Sequence, residues 1–378
     1  MDNSNHLDSA DSVGNPKEFV EAEGEITRKE TDRKCPDCGA TMDFDPLTGG
    51  LYCQYCGHKE AIDEKDQKPQ RAEELDFSSA LSKDNCNWGA KKKTIKCKSC
   101  GAVTIYDELE LANTCPYCGS NQVMEEQDVD TLAPGGVCTF KIDGKRAGEN
   151  FKSWLGHKLF CPSAAKKAAK PDRFKGIYVP YWTFDADTTS PYHAQYGIER
   201  TLKRGEHSET VTEWHNTTGV YHCFIDDQLV MASTRMDQRI LESVWPYDTK
   251  NNLAYKPEYL AGFISERYSL GLDQGWKEAQ KSIRKKLSGE INQEIIDKYD
   301  ADSVRSLGFD TNYTNIKYKY LLLPVWMSAF TYKDKVYQFV VNGQTGKVGG
   351  QTPISPLRVA IAIIITLLLL SFILRLGR

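Results

Sequence analysis

The sequence predicts an α+β fold with two small N-terminal cysteine modules and a C-terminal transmembrane helix. Three observations predict it. Four Cys-x-x-Cys pairs fall between residues 35 and 118 at matched spacing. Strand-like and helix-like apolar patterns alternate through residues 130–352. An uncharged aliphatic run covers Val359 to Leu374.

The bulk numbers suit this division. A chain of 378 residues has room for two or three domains, one with a sizeable core. Charged residues make up 26% and hydrophobic ones 40%, as in an ordinary soluble domain. The net charge of -4 and the pI of about 6.0 argue against a chain-wide electrostatic grip on nucleic acid. The N-terminus, MDNSNHLDSADSVGN, has no basic start and no apolar run, so it does not read as a secretory signal. Thiols are then expected in a reducing compartment, where twelve cysteines with paired spacing favour metal over disulfides.

Residues 1–33 are polar and acidic and read as a disordered tail. The first module spans 34–58 and the second 96–120. A charged linker at 59–95 joins them, with a stretch around Leu81 and Trp88 placed to pack on the second module. In the α+β region, Ala147, Phe151, Trp154, Leu155 and Leu159 fall at helical spacing. IYVPYWTFDADTT, GVYHCFI and YKYLLLPVW read as strands. Trp276, Ala279, Ile283, Leu287, Ile291 and Ile295 form one stripe along a long helix. KVYQFVVNGQTGKVGG reads as a hairpin turning near Asn342-Gly343. Pro180-Tyr181-Trp182 and Pro324-Val325-Trp326 each follow an apolar run; a duplicated half-domain and a chance match are equally good accounts of the pair.

The terminal run predicts a transmembrane helix over 357–376. Its 16 uncharged residues span about 24 Å, somewhat under the ~30 Å hydrocarbon core. Leu357 and Leu376 extend it, and Arg358 and Arg375 can snorkel to the interfaces. Aliphatic residues on every face favour a span over a buried core helix. The expected arrangement is a tail-anchored, single-pass membrane protein with its bulk in the cytoplasm.

The cysteine modules carry the clearest chemistry. Cys35 and Cys38 are followed after fourteen residues by Cys53 and Cys56. Cys97 and Cys100 are followed after fourteen by Cys115 and Cys118. Glycine follows each pair, at Gly39, Gly57, Gly101 and Gly119, and permits the tight backbone that aims two thiolates at one point. Two such turns complete a closed tetrahedral site, the coordination of structural zinc. Two Zn2+ ions are therefore expected, with no open position for catalysis. Rubredoxin-like iron takes the same ligands, so spacing defines the site more firmly than the metal. Cys86, Cys138, Cys161 and Cys223 lack ligand spacing and read as buried thiols. His193, His215 and His222 read as core or surface histidines rather than a second site.

Lys91, Lys92, Lys93, Lys96 and Lys98 cluster at the second module. They suit phosphate contact or anionic lipid, against the plainer reading of a solvated face. No catalytic motif emerges. NGQTGKV is not a phosphate loop, because Val341 stands where the loop needs glycine and Val348 where it needs Ser or Thr. Asp185 and Asp187 alternate along a strand and read as a solvated face. A non-enzymatic role is expected.

The ribbons CPDCGA…CQYCGH and CKSCGA…CPYCGS resemble transcription-factor-IIB-type zinc ribbons. GIYVPYWTFDAD, YKPEYLAGFISERYS and LLLPVWMSAFTYKDKVYQFVVNGQTGKVGG resemble bacterial ribbon proteins, common in Firmicutes, often labelled replication-restart-helicase-like. Without a nucleotide-binding loop, only the ribbons are shared with a helicase. The apolar tail is similar to a subset that resembles membrane anchors of envelope-stress systems. That resemblance implies flotillin-like (SPFH) and phage-shock-type protein partners. Two functional expectations follow. One is a zinc-ribbon adapter recruiting proteins to the membrane. The alternative is a membrane-tethered nucleic-acid-binding protein in replication or transcription.

Overall fold

In the computed structural model, the described residues are 34–62, 70–78, 92–98, 103–107, 123–126, 132–169, 174–204, 207–234, 237–333 and 335–376. The expected tail at 1–33, Leu81 and Trp88, and Cys100, Cys115 and Cys118 lie outside them.

The first cysteine module is a three-stranded sheet of β1 (Asp43–Asp45), β2 (Gly50–Tyr52) and β3 (Lys59–Glu60). All other described strands join one curled, mixed sheet of 13. They begin with β4 (Leu75–Asp76), β5 (Lys92–Cys97), β6 (Val103–Asp107), β7 (Val123–Glu126) and β8 (Gly136–Val137). Helices α1 (Gly144–Gly156) and α2 (Ser163–Ala168) lead into β9 (Lys175–Arg204), which turns into β10 (His207–Met231). Next come α3 (Gln238–Glu242), β11 (Leu253–Ala254) and β12 (Ile264–Glu266). Helix α4 (Leu272–Tyr299) follows, then β13 (Ser303–Phe309), β14 (Asn312–Tyr332), β15 (Lys335–Asn342) and β16 (Val348–Gly350). The last element is α5 (Pro356–Leu376).

The 30-residue β9 would run about 100 Å if straight, so the sheet must curl to enclose a core. Helix α4 fills the curl. Its buried residues include all six of the predicted stripe, Trp276 through Ile295. Trp276 meets Phe184 and Tyr313, and Tyr299 stacks on Tyr196 at 4.2 Å between ring centres. The predicted terminal hairpin is also present, as β15 paired with β16. Fully buried Asn342 organises its turn by accepting from the N–H groups of Gln344 and Thr345.

The two Pro-x-Trp segments lie on neighbouring antiparallel strands and obey an approximate two-fold centred on Val179 opposite Leu323. The motifs are 144 residues apart (180 to 324, 182 to 326). The same offset relates the outer pairings. Strand β12 lies parallel to β9 at Ile177–Tyr178, and β8 lies parallel to β14 at Leu321–Leu322. Each half thus lends its first strand to the other. The tryptophans follow suit. Trp182 Nε1 donates to the Leu270 carbonyl at 2.8 Å, two residues before α4. Trp326 Nε1 donates to the Ile142 carbonyl at 3.1 Å, two residues before α1. Each indole fixes the entry of the other half's helix. Replacing either by phenylalanine keeps most of the packing and leaves a carbonyl unpaired. The expected loss is about 1 kcal/mol for each variant, read as a lower urea midpoint at unchanged slope.

Within the charged linker, residues 70–78 strap the domain, and two other expectations need correction. Leu75 and Asp76 pair with Tyr318 and Lys317, the Gln70 carbonyl accepts from the Ala254 N–H, and Phe77 packs among Phe184, Trp276 and Tyr318. One half-buried aromatic and a two-residue strand pairing hold the strap despite the charged composition around them. Helix α1 stops at Gly156, closed by the His157 N–H on Ser153, so Leu159 leaves the stripe and stands 75% exposed. Asp185 is not solvated but only 3% exposed; Asp187 alone faces water.

Asp185 belongs to a buried ion cluster that the sequence does not announce. A β-bulge between Ile225 and Gln228 turns Asp227 inward. Its carboxylate lies 2.8 Å from the Lys319 ammonium, and its N–H donates to Asp185. Asp185 and Glu74 stand 3.9 and 3.5 Å from the same ammonium. Burial pulls Lys319 down, but Asp227, then Asp185 and Glu74, hold it above its ordinary value. Burial pushes Asp185 above the usual carboxylate range. Glu74 is pushed up by burial and drawn further down by Lys317 and Lys319, so it ends below its ordinary 4.5. A depressed carboxylate contributes stability above its unfolded value and loses it as pH falls. The strap is therefore expected to loosen below about pH 4.5, read as faster amide exchange at 70–78.

Candidate metal centre

The first two cysteine pairs build matching knuckles. In each, the glycine N–H returns to the first cysteine carbonyl: Gly39 to Cys35 at 2.8 Å and Gly57 to Cys53 at 3.0 Å. Gly39 and Gly57 have φ of +72° and +80°, the left-handed backbone that glycine adopts without penalty. The β1–β2 hairpin brings the knuckles together. Cys35 Sγ and Cys56 Sγ are 3.3 Å apart, and Cys38 Sγ and Cys53 Sγ 3.6 Å. All four sulfurs lie within 4.8 Å of one another.

These distances fit a tetrahedral ion. Zn–S bonds of about 2.3 Å place sulfurs about 3.8 Å apart, whereas a disulfide needs about 2.05 Å. The cluster fits one zinc ion, held by Cys35, Cys38, Cys53 and Cys56. His58 Nδ1 lies 2.7 Å from the Asp37 carboxylate and ties the second knuckle to the first. The thiols are unequal. The Cys56 N–H draws Cys53 down to about 6, with help from Tyr55 and against burial. Cys56 takes an N–H from His58, yet its thiol neighbours, Cys35 first, and burial push it up to about 12. Zinc must displace every remaining proton, so its affinity is expected to rise with pH from about 6 toward 12. Competition with a colorimetric chelator across pH checks this.

The module is docked on the domain. The Phe44 N–H donates to the Ala261 carbonyl at 3.1 Å, and its ring meets Tyr259 and Phe263 edge-on. A cleft of about 350 Å³ remains at the seam, with Asp43, Gln54, Asp143, Lys175 and Trp326 on its walls. Tyr55 and Leu47 of the module stand 84% and 71% exposed.

For the second module, Cys97 ends β5, which pairs with β6 and β7, and β6 pairs with β12 of the main domain. Of the lysine cluster, Lys92, Lys93 and Lys96 lie on β5 and Lys98 just beyond it. Cys138 and Cys161 are buried and Cys223 is partly so. His215 stacks on Tyr196, and His222 pairs with Thr189. Among the described residues, a second close set of possible ligands joins Asp185, Asp226 and Asp227. There Lys319 already supplies the positive charge.

Helix α5 is long and apolar enough to cross a membrane. Its 21 residues span about 31 Å, matching the hydrocarbon core where the shorter uncharged run fell short. Its aliphatic side chains are exposed all round, Ile363 and Leu370 by 55% and 54%.

These parts define a class: a mixed α+β protein with an N-terminal cysteine cluster that fits a zinc ribbon and a C-terminal apolar helix. A relative in Bacillus subtilis (strain 168), the "Uncharacterized protein YdjG", is 30% identical over 333 residues, covering 86% of this chain and 91% of that one. The chain belongs to the family of YdjG. No protein-family model matches the chain. No solved structure matches it either.

Proposed function

We propose that the protein is a cytosol-facing, zinc-ribbon adapter anchored in the cell membrane by α5, recruiting protein partners to it. The observation that carries this reading is the joining of a four-thiolate cluster and an apolar C-terminal helix to one α+β domain. A closed site stabilises a recognition surface and offers no position for a substrate. Phe44 is committed to the domain, so Tyr55 and Leu47 are the apolar groups left to meet a partner. The resemblance noted above makes flotillin-like and phage-shock-type proteins the first partners to seek. A second zinc at Cys97, Cys100, Cys115 and Cys118 belongs to the same reading, and metal analysis should return two ions per chain.

The test is purification of the full-length protein from native membranes in mild detergent, with proteins and nucleic acid counted separately. A stoichiometric protein partner without nucleic acid supports the adapter. Tyr55→Ser with Leu47→Ser is expected to cut partner recovery at least tenfold while zinc content stays unchanged. Efficient substrate turnover by the protein would overturn the reading. The nucleic-acid alternative rests on the β5 lysines. It predicts copurifying nucleic acid whose affinity falls steeply with salt.

A further inference from the structure

We propose that the loop between α1 and α2, residues 157–162, is a membrane-seating wedge that lays the main domain on an anionic bilayer surface. The inference rests on α5 being a membrane span. It names a second contact that would set the orientation of the domain.

The chain enters α5 directly against this loop. The Ser355 N–H donates to the Phe160 carbonyl at 2.8 Å. Arg358, in the first turn of α5, donates to the carbonyls of Leu159 at 2.9 Å and Cys161 at 2.7 Å. It also reaches Ser163 Oγ at 2.7 Å. Leu159 and Phe160 therefore sit level with the start of the span, where the polar interface lies. Both point outward, 75% and 43% exposed, beside Ile354 and Leu357 at 67% and 70%. In water these exposures have no compensation. In an interface, large apolar side chains are stabilised by the acyl boundary.

The carbonyls that carry the two apolar side chains are paired in advance. Unpaired carbonyls are costly in a low-polarity region. Three consecutive carbonyls, those of Leu159, Phe160 and Cys161, are all taken by the entry to α5. The loop can lower two apolar side chains without exposing an unpaired carbonyl.

Charge agrees. Residues 150–169 contain Lys152, Lys158, Lys166 and Lys167 and no Asp or Glu, in a chain of net charge -4. Lys167 is exposed. Lys158 lies over the Trp154 ring at 4.5 Å, an amphipathic pair suited to the headgroup level. Lysines near a bilayer are drawn to anionic lipid.

The test uses the full-length chain in lipid nanodiscs of phosphatidylcholine, with or without phosphatidylglycerol. A photo-crosslinking phenylalanine analogue replaces Phe160, Leu159 or, within α5, Leu370. Lipid adducts are counted by mass spectrometry. Adducts at 370, 160 and 159, with the loop signals rising several-fold with phosphatidylglycerol, are expected. Lys158→Glu with Lys167→Glu should remove that rise while leaving 370 unchanged. Adducts at 370 with none at 159 or 160, or loop adducts to protein only, overturn the seating proposal and leave the span intact. No lipid at any position overturns both.

Discussion

Cys53→Ser is expected to abolish zinc binding at the Cys35–Cys56 cluster and melt residues 34–62 off the domain. Structural zinc contributes about 10–16 kcal/mol of apparent binding energy in small zinc-finger modules, and that energy is their folding energy. Apart from the cysteines, the module's buried apolar core here is little more than Met42, Phe44 and Leu51. Burying three such side chains yields roughly 5–8 kcal/mol, against an ordering cost above 1 kcal/mol per residue. Without metal these three side chains do not offset that ordering cost. Cys53 is the strongest choice because it is fully buried and its sulfur lies 3.6 Å from that of Cys38. Native zinc measurement should show one equivalent lost, and amide exchange should lose protection at 34–62. Tyr259 and Phe263 would then meet solvent where Phe44 had covered them. The main domain should keep its own cooperative unfolding, because its sheet and α4 do not depend on the ribbon. Unchanged protection at 34–62 in the zinc-free variant would refute this account.

Lys319→Met is the second large effect, expected to cost about 3–5 kcal/mol of domain stability. The ammonium is the positive charge between Asp185 and Asp227, both buried or nearly so. Removing it leaves carboxylates without a counterion in a site too dry to solvate them. The cost is in that orphaned charge rather than in the lost attraction. Adding Asp185→Asn and Asp227→Asn should therefore recover most of the loss. Asparagine tolerates the positive φ of 50° at 227. Denaturant unfolding of the single and triple variants decides it. A triple variant as unstable as Lys319→Met alone would show that the lysine acts by packing.

What was readable from the sequence was local. The Cys-x-x-Cys-Gly knuckles are short-range geometry: a thiolate pair, a glycine at positive φ and a hairpin of the right length. The α4 stripe is a 3.6-residue period, and every predicted position is buried because a helix presents one face whatever it packs against. Helix α5 shows in composition alone. The Asn342 turn was likewise legible, since one side chain organises its own neighbours.

What only the tertiary structure decided depends on residues far apart in the chain. Pairing of β9 with β14 turns two thin Pro-x-Trp matches into a two-fold arrangement with swapped indole hydrogen bonds. Strap 70–78 reads as charged linker until Phe77 and Glu74 meet groups more than a hundred residues away. Asp185 reads as solvated until a bulge at 225–228 and Lys319 enclose it. Leu159 reads as helix stripe until α1 closes at His157 and Arg358 takes the Leu159 carbonyl into the entry to α5. The physical reason is common to all four. Local periodicity reports which face a residue presents, whereas burial, charge pairing and membrane contact are set by whichever distant segment the sheet brings to that face.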